Sequence, residues 1–315
     1  MFERIIDKIN SAERIGIFGH INPDGDALGS IFSLKDVVES MGKCGEAYLS
    51  GSIEPSVFSV IQSKDEPKCR PCECDLLIAL DCADADRLGE WKEDFINHPC
   101  TAAIDHHVTH QKFAQETVVQ DISSNCEVLY GMYKEMGVSL SMAAASNLYI
   151  GIATDTGNFK YSSVSGDTHR VAAELIDTGV EFADISKKIF DTVTKEFLAL
   201  QERAIKKLEF YSGGRVALLK LSEDDFTECG TDEAAASAIV TLPARILGVE
   251  VGVYIRSRNA NEYKVSLRSV DKVDVASIAA TFGGGGHIRA AGYSVEPNML
   301  DENLKELISK IEEQL

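Results

Sequence analysis

Three short apolar runs in the first third of the chain each end on a histidine or an aspartate, and this placement constrains the fold more than any other feature. Arg14 to Gly19 (R-I-G-I-F-G) runs into His20, with Asp24 and Asp26 close behind in H-I-N-P-D-G-D. Asp75 to Leu80 (D-L-L-I-A-L) runs into Asp81, and Thr101 to Ile104 runs into Asp105, His106 and His107. Runs this short and this apolar read as buried strands of a parallel sheet, and Glu46 to Leu49 reads as another strand. Between the strands, Ala27 to Met41 has helical spacing, with Leu28, Ile31, Phe32, Val38 and Met41 on its apolar side and Gly42 as its stop. Helices near Cys126–Met136 and Ala143–Ala153 continue the alternation, and Asp155 follows the second of them in T-D-T-G-N-F. The order predicts an α/β domain with a mainly parallel sheet and helices on both faces. In an open sheet of this kind the carboxyl ends of the strands line one crevice, where ligands bind. Three strand ends therefore deliver carboxylates and imidazoles to one place.

That mixture of donors suits manganese, iron or zinc, whereas magnesium and calcium prefer oxygen alone. Six such ligands exceed what one catalytic ion with open positions needs. They fit two ions about 3.5–4 Å apart that share a bridging carboxylate. Each piece also has a plainer reading. Asp24 and Asp26 suit the cap of the following helix, and Asp81 and Asp155 suit turns. What weighs against those readings is that all of the groups fall at one sheet edge.

A chain of 315 residues suits two domains. From Arg215 the pattern changes. Val216–Leu219 reads as a strand, and Val251, Val253 and Ile255 alternate, as do Tyr263, Val265 and Leu267, around a turn at Asn259-Ala260-Asn261. A last helix, Leu300–Leu315, carries a stripe of Leu304, Leu307, Ile308 and Ile311. The second domain is expected to be a smaller α+β unit over residues 213–315, joined to a first domain of residues 1–190 by a connecting helix in 191–212. Here lies the second chemical signal, G-G-G-G-H at Gly283–His287 followed by I-R-A-A-G. Glycines let backbone N–H groups approach an anion closely, which makes Gly284, Gly285, Gly286 and His287 candidates for substrate binding. No Lys-Ser/Thr follows, so it is not a Walker loop. Arg268, in V-S-L-R-S, is a candidate phosphate clamp.

The formal net charge of -19 argues against long duplex nucleic acid, whose binding needs Lys and Arg to displace counterions. A short RNA or a mononucleotide remains compatible, because bound metal supplies local positive charge. Pro243–Tyr293 runs against the trend, with seven basic and four acidic residues. No apolar stretch approaches the ~18 residues of a membrane helix, and the N-terminal segment reads as an amphipathic helix rather than a signal peptide. Eight cysteines without an export signal suggest reduced thiols and a cytoplasmic location. Cys69, Cys72 and Cys74 form C-x-x-C-x-C with no fourth ligand at zinc-finger spacing and are read as surface-loop thiols.

H-I-N-P-D-G-D-A-L-G-S, D-C-A-D at Asp81, D-H-H at Asp105, T-D-T-G-N-F and F-G-G-G-G-H-I-R-A-A-G together resemble the motifs of the DHH–DHHA1 phosphoesterase family. The resemblance covers essentially the whole chain, and its compact size is most similar to the bacterial nanoRNase/pAp phosphatase group. It implies that His20, Asp24 and Asp81 hold one manganese and that Asp26, Asp81, His106 and Asp155 hold the other, with Asp81 bridging. It implies that His107 faces the scissile phosphate and that Asp105 orients its neighbours. It also implies that Arg268, His287 and the glycine run hold a terminal phosphate or sugar across a cleft between the domains. The expected reaction activates a bridging water as hydroxide between two metals, with His107 stabilising charge or protonating the leaving oxygen. The rival readings are a manganese pyrophosphatase, a phosphodiesterase for cyclic or linear dinucleotides, and a non-catalytic nucleotide-binding regulator. A homodimer is compatible with the sequence.

Overall fold

The computed structural model describes residues 1–231, 239–259 and 262–315. It divides into two compact units, Met1–Thr192 and Val193–Leu315.

The first unit is built on five strands: β1 (Arg14–Phe18), β2 (Cys44–Tyr48), β3 (Leu76–Leu80), β4 (Thr101–Asp105) and β5 (Glu116–Val119). Their order is β2-β1-β3-β4-β5, and every pairing is parallel. Central β3 is buried at all five positions. Its alternate residues reach opposite layers: Leu76, Ile78 and Leu80 join one apolar cluster, whereas Leu77 and Ala79 join another with Phe18, Tyr48 and Phe95. The sheet is thus covered on both faces, as its unbroken apolar runs predict. β5 escapes the sequence reading because it is an edge strand with only Val118 buried.

Four helices matter for the site. α1 (Glu3–Ser11) precedes β1, and α2 (Gly25–Ser40) follows it. α3 (Asn125–Met136) and α4 (Met142–Asp155) follow β5. Ser124 and Ser141 cap α3 and α4 by accepting from backbone N–H groups. α2 has thirteen of its sixteen residues buried, because α4 packs closely across it. A Cβ at Gly29 would lie 2.4 Å from the carbonyl oxygen of Asn147, so only glycine permits that approach.

The second unit begins with α5 (Lys195–Lys206), the helix expected between the domains. The helix ends inside the expected range 191–212, because β6 (Glu209–Tyr211) pairs antiparallel with β7 (Val216–Leu221). α6 (Glu223–Cys229), β8 (Val251–Asn259), β9 (Glu262–Ser269), α7 (Val275–Thr281), β10 (Gly285–His287), β11 (Ala290–Val295) and α8 (Leu300–Glu312) complete it. The sheet order is β10-β11-β9-β8-β7-β6. β8 and β9 pair as the expected hairpin, and Ala260 and Asn261 of its expected turn lie outside the described residues. One sheet face packs Val253, Ile255, Val265, Leu267 and Tyr293 against Ile278 of α7 and Leu307 and Ile311 of α8. The other face is divided. Over β7 and β8, Leu219, Leu221 and Tyr254 pack with Leu200 and Ala204 of α5 and Phe226 of α6. Among the described residues no helix is long and apolar enough to cross a membrane.

Candidate metal centre

The carboxyl edge of the parallel sheet gathers the predicted donors. His20, Asp24 and Asp81 form one group, Asp26, His106 and Asp155 a second, and Asp81, His106 and His107 a third, with the donor atoms of each group within 4.8 Å of one another. Asp81 connects them. Its Oδ2 lies 3.7 Å from His20 Nε2, and its Oδ1 lies 3.4 Å from His106 Nε2. Asp24 Oδ2 approaches His20 Nε2 at 3.6 Å, and Asp155 Oδ2 approaches His106 Nε2 at 3.6 Å.

Local structure aims each group. His20 Nδ1 lies 3.0 Å from the carbonyl oxygen of Ile21, and His106 Nδ1 lies 3.1 Å from that of Ile122. A carbonyl only accepts, so Nδ1 carries the proton in both rings and Nε2 presents a lone pair to the cluster. Asp24 serves both readings of it. Its Oδ1 caps α2, accepting from the N–H groups of Asp26 and Ala27, while its Oδ2 faces His20. Asp26 does not cap that helix. Its two oxygens accept from the N–H groups of Asn125 and Cys126, at 2.6 and 2.9 Å, at the start of α3, where the helix dipole favours an anion. Asp81 directly follows β3 in the left-handed region, with φ of 57°. A non-glycine residue held there at a cluster of ligands marks a position constrained by more than folding.

The electrostatics are those of a site short of positive charge. Burial and the neighbouring charges of Asp81 and Asp155 raise Asp26 well above the usual carboxylate range. Burial, with Asp81 and Asp24 nearby, pushes Asp155 up to about 6. His106 is pushed up to about 10, since Asp81 and Asp26 outweigh its burial. Oδ1 of Asp81 is buried without a hydrogen-bond partner among the described residues. It lies 3.4 Å from His106 Nε2. Ligand bonds of about 2.0–2.2 Å put two donors on one ion roughly 3–3.5 Å apart, so the spacing fits a divalent cation between them. The donor set fits a divalent cation.

His107 is oriented differently. Its Nδ1 lies 2.8 Å from Asp105 Oδ1 and 3.5 Å from Asp81 Oδ1. The hydrogen bond to Asp105 fixes the proton on Nδ1, and the ring is partly exposed. Asp105 itself is buried, and although burial opposes its charge, hydrogen bonds from His107 and His110 hold its carboxyl below the usual range. His110 is a partner that the sequence reading misses. Its Nδ1 lies 2.6 Å from Asp105 Oδ2, and its side chain is 5% exposed. The only signal was its place in D-H-H-V-T-H, three residues past His107.

In the second unit, Arg268 on β9 pairs with Ala290 on β11, and Ala290 pairs with His287 on β10. Residues directly opposite share a face, so Arg268 and His287 project from the same side. Around them on that side lie Ser266, Gly285 and Gly292, and none of these residues is buried. This is the half of the divided face that α5 and α6 do not pack over. The glycine run is partly strand rather than a free loop. A Cβ at Gly284 would lie 2.2 Å from the carbonyl oxygen of Gly292, and one at Gly286 would lie 2.5 Å from that of Ala290, so β11 requires both glycines. The C-x-x-C-x-C thiols gather no metal-ligating group among the described residues. Sγ of Cys69 and Cys74 lie 3.9 Å apart beside the Tyr48 hydroxyl, and Cys72 is exposed.

A parallel sheet whose carboxyl edge joins two donor groups through one aspartate, followed by a mixed-sheet unit with a glycine-lined face, defines a class. The chain belongs to the DHH–DHHA1 family of phosphoesterases: residues 14–152 match the DHH family, N-terminal domain, and residues 213–315 match the DHHA1 domain. It is 31% identical to the bifunctional oligoribonuclease and PAP phosphatase NrnA of Thermus thermophilus, over 96% of this chain and 90% of that protein. It is 30% identical to the probable bifunctional oligoribonuclease and PAP phosphatase NrnA of Streptococcus mutans, over 98% of this chain and 99% of that one. Among solved structures, an exopolyphosphatase-related protein from Bacteroides fragilis superposes with a TM-score of 0.89 at 25% identity, covering 98% of this chain and 95% of that one.

Proposed function

We propose that the protein hydrolyses short oligoribonucleotides to mononucleotides and removes the 3′-phosphate of 3′-phosphoadenosine 5′-phosphate, using two divalent cations, manganese first among them. The observation that carries this reading is Asp81, whose two carboxylate oxygens each face a separate imidazole-bearing donor group. Its support on the substrate side is the naming of the relatives from Thermus thermophilus and Streptococcus mutans.

His20, Asp24 and Asp81 would hold one ion, and Asp26, Asp81, His106 and Asp155 the other. When bound, the metals supply charge for the attacked phosphate and lower the pKa of water toward neutrality. The chain's own groups do the rest. Ile21 and Ile122 carbonyls keep the Nε2 lone pairs of His20 and His106 on the cluster. The first N–H groups of α3 fix the position of the Asp26 carboxyl at the cluster. Asp105 keeps the His107 proton on Nδ1, so an imidazole protonated on both nitrogens can hand its Nε2 proton to the leaving oxygen. Arg268 and His287, with Gly284, Gly285 and Gly286, would bind a terminal phosphate or sugar. Imidazole with carboxylate favours manganese, iron or zinc over the all-oxygen ions.

The test is hydrolysis with manganese of four substrates: 3′-phosphoadenosine 5′-phosphate, a ladder of short RNAs, a linear or cyclic di-adenylate, and pyrophosphate. Rapid turnover of the first two with little of pyrophosphate is the expected result. Preference for the di-adenylate would move the activity to dinucleotide breakdown. No turnover of any substrate by metal-loaded protein would overturn the enzymatic reading.

A further inference from the structure

The loop that follows Asp155 holds an aromatic ring in an unusual way. Tyr161 is 60% exposed, yet it is not loose. The backbone oxygen of Thr156 accepts from the N–H of Lys160 at 2.9 Å and of Tyr161 at 3.1 Å, and the Thr156 hydroxyl accepts from Phe159 N–H at 3.0 Å. Gly157, Asn158 and Phe159 are all left-handed, with φ of 57°, 59° and 62°. That run of strained dihedrals folds the chain back so that the Tyr161 ring lies on Gly157. A Cβ at Gly157 would meet Cζ, Cε1 and Cε2 of the ring at 2.5, 2.7 and 2.9 Å, and the hydroxyl oxygen is not among its three nearest atoms. A point that close to three ring carbons, with the in-plane hydroxyl farther away, lies over the ring face. One face of Tyr161 therefore rests on glycine backbone, and its exposure is that of the other face.

No aromatic or cationic stacking partner covers that outer face among the described residues. Phe159, by contrast, has its ring stacked with His169, at 5.3 Å between centroids and 21° between planes. The seat of the ring, Gly157, comes two residues after Asp155, a donor of the metal cluster, so it lies at most about 7.6 Å from Asp155 between Cα atoms. Lys160, the residue before Tyr161, is also exposed. A flat apolar face, fixed in place, open on one side and adjacent to a phosphate-reacting centre, has the chemistry of a platform for a heterocyclic base. Such stacking tolerates any base, because every base presents a π-face.

We infer that Tyr161 is a nucleobase-stacking residue of the first unit, holding the base of the nucleotide whose phosphate lies at the metal cluster. The inference rests on the proposed phosphoesterase reading for the identity of the ligand. It makes Gly157 a specific requirement, since any side chain there would lift the ring from its seat.

Binding separates this inference from the reading it rests on. Calorimetric titration of adenosine 5′-monophosphate and of ribose 5-phosphate into the manganese-loaded full chain compares the same phosphate with and without a base. The wild-type protein should bind the adenosine nucleotide roughly tenfold tighter or more, as expected for one stacked base. Tyr161→Phe should keep that ratio, because the ring and not the hydroxyl stacks. Tyr161→Ala should bring it near one while leaving ribose 5-phosphate affinity and bound manganese unchanged. A Tyr161→Ala protein that keeps the full ratio would overturn the inference, and so would one that weakens for both ligands alike, which would mark the ring as a prop for the loop. Failure of the proposed activity would show instead as absent turnover by wild-type protein, with the binding ratio still to be read.

Discussion

At the scale of single residues, Asp81 carries the site, and its removal should separate activity from stability. Asp81→Ala is expected to lose both metals and nearly all activity, which metal analysis and turnover would check together. Asp81→Asn is the more informative change. Asparagine tolerates the left-handed backbone at φ 57°, and it removes one charge that raises Asp26 and Asp155. Chelated Asp81→Asn should melt higher than chelated wild type, by roughly 1 kcal/mol or 2–4 °C for a unit of this size, while remaining inactive. His110 calls for a different measurement. It is the hydrogen-bond donor to Oδ2 of Asp105, whose Oδ1 orients His107. His110→Ala should lower kcat about ten- to hundredfold at unchanged KM and metal content, and His110→Asn, whose amide can replace Nδ1–H, should recover part of it. Equal kcat in wild type and His110→Ala would remove it from the mechanism. His20, Asp81 and Asp105–His107 were legible because each directly follows an apolar run. His110 was not, since it reaches Asp105 only through a turn closed by its own N–H on the carbonyl of His107. The N–H groups that hold Asp26 were invisible for a simpler reason: backbone donors have no letter in a sequence.

At the scale of elements, the centre depends on how closely α2 and α4 approach, because Asp26 starts one helix and Asp155 ends the other. Gly29 is the contact that permits it. Gly29→Ala would put a methyl 2.4 Å from a backbone oxygen and 3.0 Å from Cys126 Sγ, and a carbonyl inside a helix cannot rotate away. A loss of about 2 kcal/mol is expected, read as a fall of roughly 4–8 °C in the melting of this unit. An unchanged melt would mean that the helices slide apart without cost. The strands β1, β3, β4 and β7 were legible from their apolar runs, and β8 and β9 from their alternation. The edge strands β5 and β6 were not. β5 buries only Val118 and β6 buries nothing, so their residues carry no clear alternation, and pairing with a neighbour's backbone makes them strands. The glycine run shows the same limit, since Gly284 and Gly286 are required by the approach of β11, a long-range contact that local sequence does not announce.

At the scale of the whole molecule, the two units have separate apolar cores and different dependence on charge, so they should unfold as two events under separate control. All of the candidate metal donors among the described residues belong to Met1–Thr192. Manganese at a hundred times its dissociation constant should raise the stability of that unit by about 2.7 kcal/mol per site and leave the other transition in place. The second unit has its own handle in Asp225, a side chain 3% exposed that is bonded to Lys207 Nζ at 2.6 Å, lies 3.3 Å from Arg203 Nη1, and accepts from Ser222 N–H at 2.7 Å. Burial opposes its charge, but the bonds from Lys207 and Ser222 outweigh that and hold its carboxyl below the ordinary value of 3.8. A carboxyl depressed by folding stabilises above its unfolded pKa and loses that contribution as pH falls through the folded one. The transition of the second unit should therefore be flat from neutral pH down to about 5 and should begin to fall near pH 4, where the unfolded chain starts to take up the proton. Asp225→Asn should lower it at pH 7 by roughly 1–3 kcal/mol, shrink that acid limb, and spare the manganese-dependent transition. Glu250 also contributes to the limb, through N–H bonds from Asp271, Lys272 and Val273. Scanning calorimetry of wild type and Asp225→Asn, with manganese and with chelator, at pH 7 and pH 4, separates the two controls. A single transition moved by both perturbations would show instead that the two cores melt as one body, and the charge network of each unit would then act on the stability of the whole chain.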